Sequence, residues 1–172
     1  VLKQHRIDCV KRPGTSNDSQ PVGTSTGRGI HSWALTGSTY AVFGNWIMSN
    51  TSTLTSSMNT SSGRCRFVEI PPSTGQAQLV ICDGQDNYNI TSTGVITQID
   101  QVDDADYPVS TLGPLAYLDG YLFQGAPNGR IYNTALNTVS SWVAGDYITA
   151  DTHAGALEAI YIQKDQIMGL TK

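Results

Sequence analysis

Three observations in this sequence predict an all-β fold of β-propeller-like repeats, each a four-stranded blade. Thr, Ser and Asn together supply 44 of 172 residues, and charged residues only 14% against an average of about 25%. Helical bundles and coiled coils need Glu, Lys, Ala and Leu in quantity, so this composition argues against them. A hairpin of two short apolar strands around a polar turn recurs four times. Its spacing, roughly 40 residues, is that of one four-stranded propeller blade.

The hairpins lie near residues 40–48, 79–90, 115–123 and 159–168. The first runs Tyr40-Ala41-Val42-Phe43, turns at Gly44-Asn45 and returns through Trp46-Ile47-Met48. The second runs from Leu79 to Cys82, turns at Asp83-Gly84-Gln85-Asp86 and returns from Asn87 to Ile90. Leu115 to Leu118 with Tyr121 to Phe123 form the third around Asp119-Gly120. Ala159 to Ile162 with Gln166 to Met168 form the fourth. Taking Gly44, Gly84, Gly120 and Asp165 as markers, the intervals are 40, 36 and 45 residues. A further strand is expected after each of the first three hairpins, at Ser52 to Leu54, Gly94 to Ile99 and Gly129 to Tyr132. Continuous apolar runs such as Leu79-Val80-Ile81-Cys82 suit inner strands covered on both faces by neighbouring blades. A β-sandwich of evenly spaced hairpins is the rival arrangement. The one helical candidate is a turn around Asp151 to Glu158.

Residues 1–30 read as an extended basic arm or connection, rich in Gly, Pro, Ser and Thr from Lys11 to Gly29, and residues 31–172 as the blades. About three and a half blades fit this length, whereas closure usually takes about 4 to 8. The chain is therefore expected to be an incomplete part of a longer propeller.

The net charge is -4, which does not mark the whole chain as a polyanion binder. The arm is basic and the remainder acidic. Lys3, Arg6, Lys11, Arg12 and Arg28 are accordingly the candidates for contact with phosphate or with an acidic neighbouring subunit, the alternative being a solvated arm. No apolar run is long enough to span a bilayer as a helix. The cysteines, Cys9, Cys65 and Cys82, have no zinc-ligand spacing, and Cys82 reads as a small buried hydrophobe.

Nothing in the sequence marks catalysis. G-x-S-x-G, phosphate-loop and H-E-x-x-H motifs are absent, Gly27-Arg28-Gly29 is half a dinucleotide fingerprint, and His5, His31 and His153 sit in unrelated contexts. Asp100, Asp103, Asp104 and Asp106 could hold a hard cation, and Asp83, Asp86 and Asn87 form a second polar turn. Both read better as turn formers. Trp33, Trp46, Trp142, Tyr107, Tyr132 and Tyr147 could be ring platforms, but strand positions favour packing. No cofactor is expected.

Three stretches carry a family resemblance. They are Asp8 to Thr15 with Gly27 to Trp33; Tyr40 to Ile47; and Leu118-Asp119-Gly120-Tyr121, Asn128 to Tyr132, Ser140-Ser141-Trp142 and Asp146 to Asp151. In these the chain resembles the tail nozzle, or packaged-DNA stabilisation, proteins of short-tailed bacteriophages. The resemblance implies a non-enzymatic virion protein of the tail, assembled in the host cytoplasm. Copies of it would form a ring below the portal and adaptor, contacting them and other tail proteins. Double-stranded DNA would be retained in, or pass through, the channel without sequence specificity. From the residues alone, an intracellular propeller interaction module and a carbohydrate-binding propeller stay open as alternatives.

Overall fold

Runs of β-branched and aromatic residues, broken by Gly, Asn and Asp, form short strands and tight turns in the described part of the chain. The computed structural model describes residues 26–50, 52–55, 58–72, 75–108, 113–149, 156–164 and 166–171. Among them every helix or strand is a β-strand. β1 (Gly27–Trp33), β2 (Ser38–Phe43), β3 (Trp46–Ser49) and β4 (Ser52–Thr55) make one antiparallel meander. β5 (Arg66–Ile70), β6 (Gln78–Cys82), β7 (Asn87–Thr91) and β8 (Ile96–Ile99) make the second. The third comprises β9 (Leu115–Leu118), β10 (Tyr121–Gly125), β11 (Arg130–Thr134) and β12 (Trp142–Thr149), and β13 (Leu157–Gln163) pairs with β14 (Gln166–Thr171) in a fourth, two-stranded sheet. Leading strands adjoin in series, β5 packing against β1 and β9, and β9 against β13.

Alternation along the strands divides the core into seams between successive sheets. In β6, Leu79 and Ile81 face the first seam with Trp33, Val42, Ile47 and Ile90. Val80 and Cys82 face the second, with Leu122, Tyr107 and Trp142. One strand thus serves two cores, which explains why its apolar run is continuous. Ala116, Ile131, Leu157 and Ile160 form the third seam.

The hairpin expectation holds in its strands and shifts in its phase. The pairs at 40–48 and 79–90 are β2–β3 and β6–β7, the middle strands of their meanders, whereas 115–123 and 159–168 are leading hairpins. Gly120 therefore marks a different turn from Gly44 and Gly84; the equivalent turn in the third meander is at Asn128-Gly129, between β10 and β11. The shift arises because Leu115 and Tyr117 of β9 pack on the second seam and Ala116 on the third, giving a leading strand the apolar profile of a middle one. Asp119 and Gly120 both have positive φ, 50° and 89°, as a two-residue hairpin turn of type I′ requires.

Two boundaries also move. Gly27 to Ile30 form the first half of β1 and do not belong to an arm. A Cβ on Gly29 would lie 2.5 Å from the Phe67 ring, so this glycine permits β5 to approach β1. Of the expected helical turn, Asp151 to Gly155 lie outside the described residues, and Leu157 and Glu158 open β13. The aromatics divide as packing predicts for Trp33, Tyr107 and Trp142, which are buried; Trp46 and Tyr132 are half-buried and Tyr147 is exposed.

Cys65 and Cys82 are buried free thiols. Desolvation by burial pushes Cys65 up to about 11 and Cys82 up to about 12. Both are expected to be silent toward a disulfide thiol reagent at pH about 8 and to react when the chain is unfolded. Prompt reaction of more than one thiol of the folded protein contradicts this packing.

Candidate functional site

Arg28 is the sequence candidate whose surroundings are clearest. Pairing of β1 with β2 passes from Gly27–Phe43 to Gly29–Val42, which leaves Arg28 as a bulge; a bulge re-aims its side chain. The side chain is buried and all five guanidinium N–H groups have acceptors. Nε donates to the Gly63 carbonyl (2.9 Å), and Nη1 to the carbonyls of Gly44 (2.8 Å) and Thr60 (2.7 Å). Nη2 donates to Thr60 Oγ1 (2.6 Å) and to the Asp83 carbonyl (2.7 Å). No donor remains for phosphate or for a neighbouring subunit, so that expectation is corrected for Arg28: it joins the β2–β3 turn, the 58–65 connection and the β6–β7 turn. Lys3, Arg6, Lys11 and Arg12 lie outside the described residues, as do His5, His153 and Cys9.

A cavity of about 890 Å3 opens beside this network, bordered by Asp83, Asp86, Asp100 and Tyr107. Its carboxylates are engaged by the chain itself. Asp83 Oδ1 accepts the backbone N–H of Gln85 (2.8 Å) and Asp86 (2.9 Å), and its Oδ2 accepts that of Thr60 (3.1 Å). Asp86 Oδ2 accepts from the amides of Asn59 and Gln98. The Asp100–Asp106 loop behaves likewise, Asp100 Oδ1 taking the N–H of Val102 (2.7 Å). Asp104 Oδ1 takes the N–H of Asp106 (2.9 Å) and its Oδ2 that of Trp142 (2.7 Å). These are turn-forming and sheet-joining roles. Among the described residues no three His, Cys, Asp or Glu side chains come together as a metal site.

The second cavity, about 660 Å3, lies between the leading strands of all four sheets, bordered by Gly29 to His31, Arg64 to Phe67, Leu115 and Glu158 to Tyr161. His31 stacks on Phe67 with ring centroids 5.6 Å apart, and its Nε2 meets Glu69 Oε1 at 2.7 Å, tying β1 to β5. Arg64 and Arg66 also border the first cavity. Neither arginine stands out in the sequence; Arg66 opens β5 and Arg64 lies in the connection before it.

Two outcomes follow. Arg28→Ala strands buried carbonyls and is expected to cost at least about 3 kcal/mol, measured by denaturant unfolding. Arg28→Lys, with three N–H donors in place of five, should lose a substantial part of that. Unchanged stability of Arg28→Lys would refute the clamp. The Asp86 carboxyl is raised above its ordinary value of 3.8, chiefly by burial. The folded state therefore holds this proton more tightly than the unfolded one. Its contribution is fully present below 3.8 and is lost as pH rises through the raised value. Asp86→Asn should flatten that part of the melting-temperature profile; parallel profiles would exclude the assignment.

No protein-family model and no curated protein matches this chain. Among solved structures the chain is similar to the computationally designed Ika4 protein, known from a crystal structure. The two share 13% sequence identity at a TM-score of 0.58, over 92% of this chain and 94% of the designed one, a likeness of fold.

Proposed function

We propose that the chain is a non-catalytic structural subunit of a bacteriophage tail nozzle, with its sheets set as propeller blades. The observation that carries the structural half of this reading is the second cavity: one leading strand from each of four successive sheets borders it, as radial placement about a common axis requires. The residues of the family resemblance have building roles. Asp119-Gly120 makes a hairpin turn, Asn128 Oδ1 accepts the N–H of Arg130, and the Trp142 ring meets Tyr107 edge-on at 5.5 Å in the second seam. In the larger cavity the carboxylates hold backbone and amide N–H groups, an arrangement that serves cohesion.

Copies of the chain would form a ring below the portal and adaptor, retaining or passing the genome. A cavity of about 660 Å3 suits a small molecule, not a duplex whose major groove alone is about 12 Å wide. The DNA channel would therefore lie between copies, not within one. An acidic lining lets DNA slide, because each neutralised phosphate adds affinity.

Electron microscopy of the full chain beside its mass from light scattering tests this reading. Rings of several copies around a pore are expected. A one-subunit mass at every concentration, with no pore in the images, would overturn it.

A further inference from the structure

Among the described residues the fourth sheet stops at two strands, whereas each of the other three has four. Its outer strand, β14, lies across the third sheet: a Cβ on Gly169 would come within 3.3 Å of Ile131 Cδ1 in β11. Ile148 of β12 pairs with Ile131 in register, so the two side chains share the face turned toward the fourth sheet. Ile131 is 5% exposed and Ile148 is 54% exposed. Cover makes the difference: β14 reaches over β11, and Ile148, one strand further out, is left as an apolar shelf.

The edge of β14 above this shelf is open. Gln163 pairs with Gln166 across a two-residue turn, and with that pair closing the hairpin the ladder alternates so that the N–H and C=O of Ile167 and Gly169 point away from β13. The strand, Gln166-Ile167-Met168-Gly169-Leu170-Thr171, has no charge and no Pro to guard it. By contrast the outer strands β4 and β8 are four residues long and β12 carries Asp146. Pairing of β14 with β14 of a second copy about a two-fold axis is blocked, because the third sheets of both copies would need the space under the joint. The site therefore takes an extended segment that brings no sheet of its own.

The N-terminal arm, residues 1–25, lies outside the described residues and has such a segment. In Arg6-Ile7-Asp8-Cys9-Val10, Ile7 and Cys9 alternate with Arg6 and Asp8, the pattern of a half-covered strand. Its basic residues, Lys3, Arg6, Lys11 and Arg12, suit a shelf on which Asp146 stands beside Ile148 on the same face. From Lys11 to β1 the chain spans about 50 Å at about 3.3 Å per residue, more than the width of a domain of this size, about 40 Å. Attachment to the same chain also gives the arm a high effective concentration at the site.

We propose that residues 6–10 of the arm add a third strand to the fourth sheet of their own chain, pairing with β14 and laying Ile7 and Cys9 over Ile148. The proposal concerns a single copy and does not rest on the tail reading.

Hydrogen exchange of the full chain, read by NMR, tests it. The N–H groups of Ile167 and Gly169 are expected to exchange at least about tenfold more slowly than in the Ile7→Asp/Cys9→Asp variant, and Ile7 and Ile148 methyl groups should show a mutual nuclear Overhauser effect. Ile148→Asp, a change at an exposed position, should bring the same loss of protection from the shelf side. Protection elsewhere should persist in both variants, since neither touches a seam. In a mixture of differently labelled chains the Ile7–Ile148 contact should stay within one label. A contact between labels would give the arm to a second copy and overturn the proposal, as would fast exchange of Ile167 and Gly169 in the parent chain or undiminished protection in either variant. Rings that lack this protection would leave the tail reading standing, and protection in a one-subunit species would do the reverse.

Discussion

Five hydrogen bonds from one buried guanidinium fix the first two sheets relative to each other. Arg28 reaches the carbonyls of Gly44, Thr60, Gly63 and Asp83 and the Thr60 hydroxyl. These acceptors lie on three separate segments that have no ladder hydrogen bonds between them. A buried carbonyl without a donor is costly, and a buried cation without acceptors more so, so each side of this arrangement requires the other. The bulge makes it possible, since a regular strand would place consecutive side chains on opposite faces. The same network sets Gly63, and so determines where the chain enters β5 and where Arg64 and Arg66 emerge.

Away from Arg28, cohesion comes from seams that share strands. β6 buries Leu79 and Ile81 on one side and Val80 and Cys82 on the other, so a cavity on either side of this strand weakens a core on both. Truncating a fully buried aliphatic side chain typically costs about 2 to 5 kcal/mol. The third seam is smaller and includes a glycine device: a Cβ on Gly169 would come within 2.9 Å of the Leu157 side chain. The Leu157 side chain of β13 lies against β14 at that point because Gly169 places no side chain in the way. The larger seams use aromatic edges, Tyr107 on Trp142 and Trp33 beside Tyr40.

The strands were legible because apolar runs and turn residues act locally. Leu79 to Cys82 announces a two-sided strand by its composition, and Asp119-Gly120 announces a turn by the φ values it tolerates. Phase within the repeat was not legible, since a leading strand such as Leu115 to Leu118 and a middle strand such as Leu79 to Cys82 are both covered on two faces. Gly27-Arg28-Gly29 reads as a loop in isolation. It is a strand because Phe67, 38 residues downstream of Gly29, packs over the glycine. Arg28 looked like a free charge for the same reason: four of its five acceptors are backbone carbonyls, and no pattern of residue types reveals a carbonyl.

Polar groups inside the seams decide which sheet follows which. Apolar seam residues are similar from one meander to the next and would tolerate exchange. Asn87 and Gln124 would not. Both are fully buried; Asn87 Nδ2 donates to Gln124 Oε1 at 2.8 Å, and Gln124 Nε2 returns the bond to Asn87 Oδ1 at 3.4 Å. Sliding either strand by one residue would turn its amide to the opposite face, leaving the partner amide unpaired in an apolar seam. The penalty is that of burying an unsatisfied amide, about 1 to 3 kcal/mol on protein scales. It falls on the wrong register alone, so the pair contributes discrimination more than net stability. A protein assembled from successive antiparallel meanders needs such marks, because hydrophobic burial cannot tell one small sheet from the next.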